Sequence, residues 1–452
     1  MNKKSKFTIS TTHLILLSFL VTILLGAVLL SLPISAADGQ KTPFVDALFT
    51  ATTATCVTGL VVVPTATAWS LFGHIVILIL IQLGGLGVIT VLAGIALTLN
   101  RKMGIGRSIL LQDAFNLDTL FGLGSFVKKV IIGTFIVEGV GALAYMAVFV
   151  PQFGARGIWI SVFTSISAFC NAGIDIIGEN SLINYATNPI INTVTSLLII
   201  LGGLGYIVWW DLLRVFRDKK KGFPLRRLTL HSKIVLSATA ILIFGGAVLI
   251  FLFERNNPLT IGNMTLFDQI QASIFQSVTT RTAGFASVPQ ENLSNSSAFV
   301  SLLLMFIGGS PVGTAGGIKT VTFVVLFASA LVVVRQKGEQ VNMFGRSITR
   351  QAISKAVGVC CMSFGILFIS TVLLSAVTDA SALDILYETV SATATVGLTR
   401  NLTPSLNTLG KLIITATMYL GRVGPISLMI AFNLRKKRPS IITNPVEQIS
   451  VG

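Results

Sequence analysis

ALDILYETVSATATVGL, residues 382–398, decides how this chain is read, because three other stretches share its make. Each is an apolar run rich in Thr and Ser that closes on one glycine: DALFTATTATCVTG at 46–59, WISVFTSISAFCNAG at 159–173 and DQIQASIFQSVTTRTAG at 268–284. The closing glycines are Gly59, Gly173, Gly284 and Gly397, spaced by 114, 111 and 113 residues. One pattern returning at a near-constant interval implies an internal repeat. The chain therefore reads as four copies of one unit built around a shared axis.

Of the 452 residues, 53% are hydrophobic and only 11% charged, and the mean hydropathy is +0.84. So few charges cannot clothe a soluble globule of this size, so a polytopic membrane protein is expected. The basic N-terminus precedes an apolar run long enough to span and lacking a good small-residue cleavage site, so it is read as the first transmembrane helix and not as a signal peptide. The net charge of +16 is explained by where it falls. Once spans are assigned, 25 of the 33 Lys and Arg residues lie on one side: Lys3, Lys4, Lys6, Arg101, Lys102, Arg107, Lys128, Lys129, the cluster at 214–233, the group at 335–355 and the tail at 435–438. That asymmetry is the positive-inside pattern and places both termini in the cytoplasm, with anionic lipid or an acidic partner surface as a secondary contact and no role for nucleic acid. The four cysteines, Cys56, Cys170, Cys360 and Cys361, have no metal-ligand spacing and read as small residues in packed helices.

Taken in order, repeat 1 (1–110) has a helix at about 12–34, a dip, FVDALFTATTAT, and a span at about 70–98. Repeat 2 (111–225) has a helix at about 127–150, a dip at 157–170 and a span at 189–213. Repeat 3 (226–345) has a helix at 231–253, a dip at 265–280 and a span at 297–335. Repeat 4 (346–435) has a helix at 351–377, a dip at 383–395 and a span at 406–432, before a polar tail at 436–452. The dips are too short to cross about 30 Å of hydrocarbon and must turn back. The third span is too long for one helix and is interrupted by IGGSPVGTAGGIKT, whose glycines and proline cannot hold helical geometry. Each closing span carries a glycine knot, at 84–87, 202–205, 308–311 and 421–424; close helix packing and pore geometry both explain it.

Backbone that is not helical survives inside a membrane only where it lines water or an ion path. Four dips converging on one axis could turn spare carbonyls inward and take a cation as partner. Glycine is required where left-handed and extended conformations alternate, and a short helix before each turn points its negative end at the ion. Thr395-Val396-Gly397 also matches the start of the TVGYG loop whose carbonyls replace the hydration shell of potassium in channels. Asp46, Asp268, Asp384 and Glu388 lie upstream of the glycines, so the expected cation site uses no carboxylate.

These repeats, together with TTRTAG and GGSPVGTAGGIKT, resemble the Trk/Ktr/HKT superfamily of cation transporters, and most closely the bacterial Ktr membrane subunit. The resemblance runs from about residue 10 to 435. It implies an all-α fold of four helix, pore loop, helix repeats with pseudo-fourfold symmetry, a homodimer in the bacterial cell membrane, and a cytosolic ring of nucleotide-binding (RCK-type) subunits. It also implies potassium uptake stimulated by sodium, with no covalent cofactor. Carried onto this sequence, the filter backbone falls on Val57, Thr58, Gly59, Asn171, Ala172, Gly173, Thr282, Ala283, Gly284, Thr395, Val396 and Gly397. Glycine at position 59, where sodium-favouring relatives tend to have serine, implies a preference for potassium. The broken span at 308–320 resembles the family's intramembrane gate: Gly308, Gly309, Ser310, Gly313, Thr314, Gly316, Gly317 and Lys319, a loop expected to hydrogen-bond in a wet cavity without packing tightly. Arg422, in the fourth knot, is expected to bond the loop's carbonyls, Arg281 to brace filter carbonyls, and Lys319 either to serve as a second loop cation or to snorkel. Glu138 has no evident partner in the sequence.

Two other functional classes fit less well. His13, His74 and His231 are far apart, and no nucleophile has a base at useful spacing, so an enzyme is not expected. A carrier with inverted halves would need two opposed orientations, whereas the four copies here share one. No GxGxxG follows a strand-like run, so nucleotide sensing falls to another polypeptide.

Overall fold

The computed structural model describes residues 11–88, 90, 91, 93, 123–178, 180–218, 224–335 and 340–424. Much of the basic surface read from the sequence lies outside them: the N-terminal lysines, the loop holding Arg101, Lys102 and Arg107, residues 219–221, Lys337 and the tail.

Every repeat opens with a long helix: Thr11–Leu30, Leu123–Phe153, Leu230–Glu254 and Arg350–Ser375. The shortest has 20 residues and reaches about 30 Å, enough to cross hydrocarbon. Their outer faces are apolar as well as their inner ones. Leu25, Val140, Ile241 and Phe368 are each more than 60% exposed. Such a surface is stable only where lipid is the solvent, so this is a multi-pass membrane protein.

Short helices follow at Phe44–Cys56, Ala155–Phe169, Leu266–Thr279 and Ala382–Ala394. With 13 to 15 residues they cannot span, and they are buried at the centre, as the sequence implies. Their hydroxyls point inward, among them Thr52, Thr53, Thr55, Ser165, Ser167, Thr279, Ser391 and Thr393. Two of them start on a reciprocal cap. Thr265 Oγ1 accepts from the Asp268 backbone N–H and donates to Asp268 Oδ2 (2.7 Å), and Ser381 does the same with Asp384 (2.7 Å).

The closing helices differ from the sequence expectation. Unbroken spans at 70–98, 189–213 and 406–432 were expected; instead the helices are Leu71–Leu86, Pro189–Leu204 and Thr408–Val423, each 16 residues and about 24 Å long. Each stops where a knot glycine takes positive φ: Gly87 (83°), Gly205 (82°) and Gly424 (86°). After Gly205 the chain leaves as a second helix, Tyr206–Arg217, bent by 95° from the first. The third span breaks as expected, into Asn295–Phe306, a loop at 307–319 and Thr320–Val334. A small antiparallel hairpin, Asn342–Met343 with Arg346–Ser347, precedes the fourth repeat.

The knot serves packing and backbone geometry together. A Cβ on Gly84, Gly202 or Gly421 would overlap the carbonyl of Thr55, Phe169 or Thr393, at the end of the neighbouring short helix. The small residue lets the closing helix approach, and the second glycine then ends it.

Candidate ion site

Four short helices run into turns of one design. The residue two before each closing glycine is left-handed: Val57 (φ 54°), Asn171 (59°), Thr282 (62°) and Thr395 (51°). The glycines are again positive, at 98°, 63°, 86° and 97°. Left-handed residues on either side of the middle one swing successive carbonyls toward one side of the strand. A β-branched side chain at such a φ is strained, so the surroundings must hold it.

Hydroxyl groups supply that hold. Thr53 Oγ1 accepts from the Gly59 backbone N–H (2.9 Å), Ser391 Oγ from Gly397 (3.0 Å) and Ser167 Oγ from Ile174 (3.0 Å). In the same three loops the backbone N–H of Thr58, Ala172 and Val396 donates to the carbonyl five residues earlier, each at 2.8 Å. The third loop is wound one residue differently: Gly284 N–H makes that bond with Thr279 at 3.4 Å, and Thr279 Oγ1 donates to Phe285 O (2.6 Å). The sequence reading missed these hydroxyls, although Thr53, Ser167 and Ser391 all stand six residues before their glycine.

The four glycines meet. A Cβ on Gly59 would lie 2.6 Å from Ala172 O; on Gly173, 2.5 Å from Ala283 O; on Gly284, 2.5 Å from Val396 O; and on Gly397 it would overlap Thr58 O. Each glycine faces the carbonyl before the next one, and the fourth returns to the first. Among the described residues, no hydrogen bond ends on a carbonyl oxygen of Val57, Thr58, Gly59, Asn171, Ala172, Gly173, Thr282, Ala283, Gly284, Thr395, Val396 or Gly397. A closed ring of buried carbonyls without donors has the chemistry to coordinate a dehydrated cation. The acids upstream of the glycines have other partners: Asp46 pairs with Lys411 (2.6 Å) and Asp384 with Arg400 (2.7 Å). Glu388 is spent on the hydroxyls of Thr399 (2.6 Å) and Thr403 (2.5 Å).

Directly against these turns lies the loop at 307–319. The sequence suggested loose packing; the loop is instead tightly bonded. Its N–H groups at Ser310 and Thr314 donate to Gly203 O (2.8 Å) and Gly202 O (3.1 Å), and Gly308 donates to Ile318 O (2.9 Å). Ser310, Thr314 and Ala315 are buried. Gly308 and Gly316 touch so closely that a Cβ on Gly308 would overlap the Gly316 carbonyl, and Gly309 packs on Ala315 and Gly203. A glycine-rich sequence allows close backbone contact as readily as disorder, and the knot of repeat 2 provides the acceptors.

Three cations hold this loop by its carbonyls. Arg422 Nη1 donates to Thr314 O (2.7 Å) and Nη2 to Gly84 O (2.6 Å). Lys319 Nζ donates to Ala315 O (2.6 Å). Arg281 Nη2 donates to Gly308 O (3.1 Å), so it braces the loop and not, as expected, the filter carbonyls. A side chain placed between a filter turn and a loop has both within reach, and the sequence gives only its neighbour in the chain. Glu138 faces the Cys170 thiol (3.8 Å) of its own repeat and the Gln82 amide (3.2 Å) of repeat 1, a contact between repeats that no local pattern announces.

A buried ring of free carbonyls inside a multi-pass bundle has the chemistry of a cation path. The profile of the TrkH cation transport proteins matches residues 3–442, and the chain belongs to this family. It is 40% identical to the Ktr system potassium uptake protein B of Bacillus subtilis, over 96% of this chain and 95% of that protein. It is 37% identical to the potassium/sodium uptake protein NtpJ of Enterococcus hirae, over 100% and 99% of the two chains. The crystal structure of the potassium transporter TrkH from Vibrio parahaemolyticus has the same fold, with a TM-score of 0.75 at 15% identity, covering 96% of this chain and 87% of that one.

Proposed function

We propose that this chain is the potassium-translocating membrane subunit of a bacterial uptake system, with the four turns as selectivity filter and the loop at 308–320 as its gate. The observation that carries the reading is the ring of donor-free carbonyls around Gly59, Gly173, Gly284 and Gly397. Potassium loses its hydration water at low cost, so carbonyl rings select it over the more tightly hydrated sodium. The short helices add their negative ends. In this reading Thr314 to Gly316, bonded to the turns, close the path, and Arg422 and Lys319 add positive charge beside them. Gating then means moving the loop off its carbonyl partners.

Sodium stimulation, a homodimer and a cytosolic nucleotide-binding partner ring are proposed from the family resemblance, and cytoplasmic termini from charge placement. The test is growth and potassium uptake at low external potassium in a cell lacking its own uptake systems. The intact chain restores uptake. Gly59→Ser, which forces a side chain onto Ala172 O at φ 98°, lowers the potassium-over-sodium uptake ratio by about tenfold or abolishes uptake. Equal uptake of both ions by the two proteins would overturn the filter assignment.

A further inference from the structure

The gate loop is bonded to the filter itself. Thr314 Oγ1 donates to Asn171 Oδ1 (2.8 Å), with Phe169 O also within reach at 3.0 Å. The Gly316 backbone N–H donates to Thr282 Oγ1 (3.1 Å). Gly316 lies so close to Thr395 that a Cβ would overlap its hydroxyl. Asn171, Thr282 and Thr395 are the left-handed residues two before the closing glycine in repeats 2, 3 and 4. The equivalent residue of repeat 1, Val57, has no polar group, and there Arg422 joins Gly84 O to Thr314 O instead. The loop thus meets repeats 2, 3 and 4 at the left-handed residues of their turns and, among the described residues, is tied to repeat 1 through Arg422.

Simple packing does not account for these contacts. Asn171 is buried, gives its acceptor to the loop and leaves Nδ2 with no acceptor; the Thr395 hydroxyl is likewise buried and unbonded. A buried polar group without a partner calls for an explanation, and an alternative position of the loop that leaves these side chains free to re-bond supplies one. Thr282, β-branched at φ 62°, is strained there, whereas Asn171 at φ 59° adopts the left-handed region readily. A bond from either residue to the loop makes the two conformations one variable.

We infer that Asn171 and Thr282 are positioning residues that latch the gate loop to the filter, so that release of the loop and the ion preference of the filter change together. This rests on the filter and gate assignment above. When the latch is closed, the loop fixes the side chains of the inner turn. When the loop leaves, those side chains are freed and the inner carbonyls reset.

The test uses the full chain in proteoliposomes, with potassium and sodium flux measured for wild type, Thr314→Val, Asn171→Ala and the double variant. Thr314→Val keeps the shape and removes the donor. Each single variant should raise potassium flux by about three- to tenfold, the range for losing one hydrogen bond that favours the closed loop. The double variant should show no further rise, and Thr314→Ser should restore wild-type flux. Thr314→Val, which changes no filter carbonyl, should also lower the potassium-over-sodium ratio, a readout that loss of packing alone would leave in place. Thr282→Val tests the second latch should Asn171→Ala fail to yield monodisperse protein. Effects that multiply in the double variant, unchanged flux, or raised flux at the wild-type ion ratio each overturn the latch while leaving the pore reading intact. Absence of potassium flux from every protein, wild type included, removes the pore reading and the latch with it.

Discussion

A guanidinium with no carboxylate partner among the described residues is expensive to place between membrane helices, and Arg422 repays that cost only through the two carbonyls it holds. Charge-assisted bonds of this kind are worth about 1.5–3 kcal/mol each. Arg422 therefore fixes the loop at Thr314 to the knot of repeat 1 at Gly84. Arg422→Ala should raise unstimulated potassium flux by about tenfold or more in proteoliposomes. Arg422→Lys should sit between the two, because an ammonium reaches both carbonyls poorly where a planar fork reaches both well. Flux at the wild-type level in Arg422→Ala would remove this residue from the gate. The depth of Arg422 in an apolar helix was legible from the chain, and so was its bond to the loop. Arg281 was legible only as an unusual cation near a filter glycine; its partner, Gly308 O, became visible once the third repeat was folded.

At the scale of elements, the short helix and its turn act as one piece. The hydroxyl six residues before the glycine ties helix to turn at Thr53, Ser167 and Ser391, and it holds a strained residue between two fixed points. Ser391→Ala removes the acceptor of the Gly397 N–H in a buried site and should cost about 1–3 kcal/mol locally. The prediction is a potassium-over-sodium flux ratio several-fold below wild type, with little change in the melting temperature of the whole protein, because the loss falls on the turn. A lowered melting temperature with an unchanged ratio would make Ser391 a fold residue only. The dips could be read from length and from their Thr/Ser content, because a run of 13 apolar residues cannot cross a bilayer. The breaks at Gly87, Gly205 and Gly424 could not, since glycines inside an apolar run look the same whether they pack a helix or end it. The packing glycines of the same knots, Gly84, Gly202 and Gly421, are set apart only by the neighbouring helix ends they meet, at Thr55, Phe169 and Thr393, contacts between separate segments of the chain.

Across the whole molecule, four copies in one chain must close a ring, and the closure is made once, between the last repeat and the first. The repeat interval made the ring readable in the sequence; the bonds that close it, among them the ion pair of residues 46 and 411, leave no local trace. Lys411, in the first turn of the fourth closing helix, donates to Asp46 Oδ1 at 2.6 Å, on the first short helix. Both side chains are less than 20% exposed, so solvent screens the pair only partly. Arg400 makes the matching link between repeats 4 and 3, with Asp384 at 2.7 Å and the carbonyls of Gln290 and Glu291 at 3.0 Å. Lys411→Met leaves Asp46 half-buried without its cation, and the expected loss is about 1.5–3 kcal/mol at the junction of repeats 1 and 4. Because Asp46 begins the helix that ends at the first filter turn, the loss should reach Gly59: a lower melting temperature together with a lower potassium-over-sodium flux ratio. Exchanging the charges, with Asp46→Lys and Lys411→Asp in one protein, should recover most of both, whereas each single reversal should be worse than Lys411→Met. If the exchange recovers stability but not the ion ratio, ring closure and filter geometry are independent, and the pair serves the fold alone.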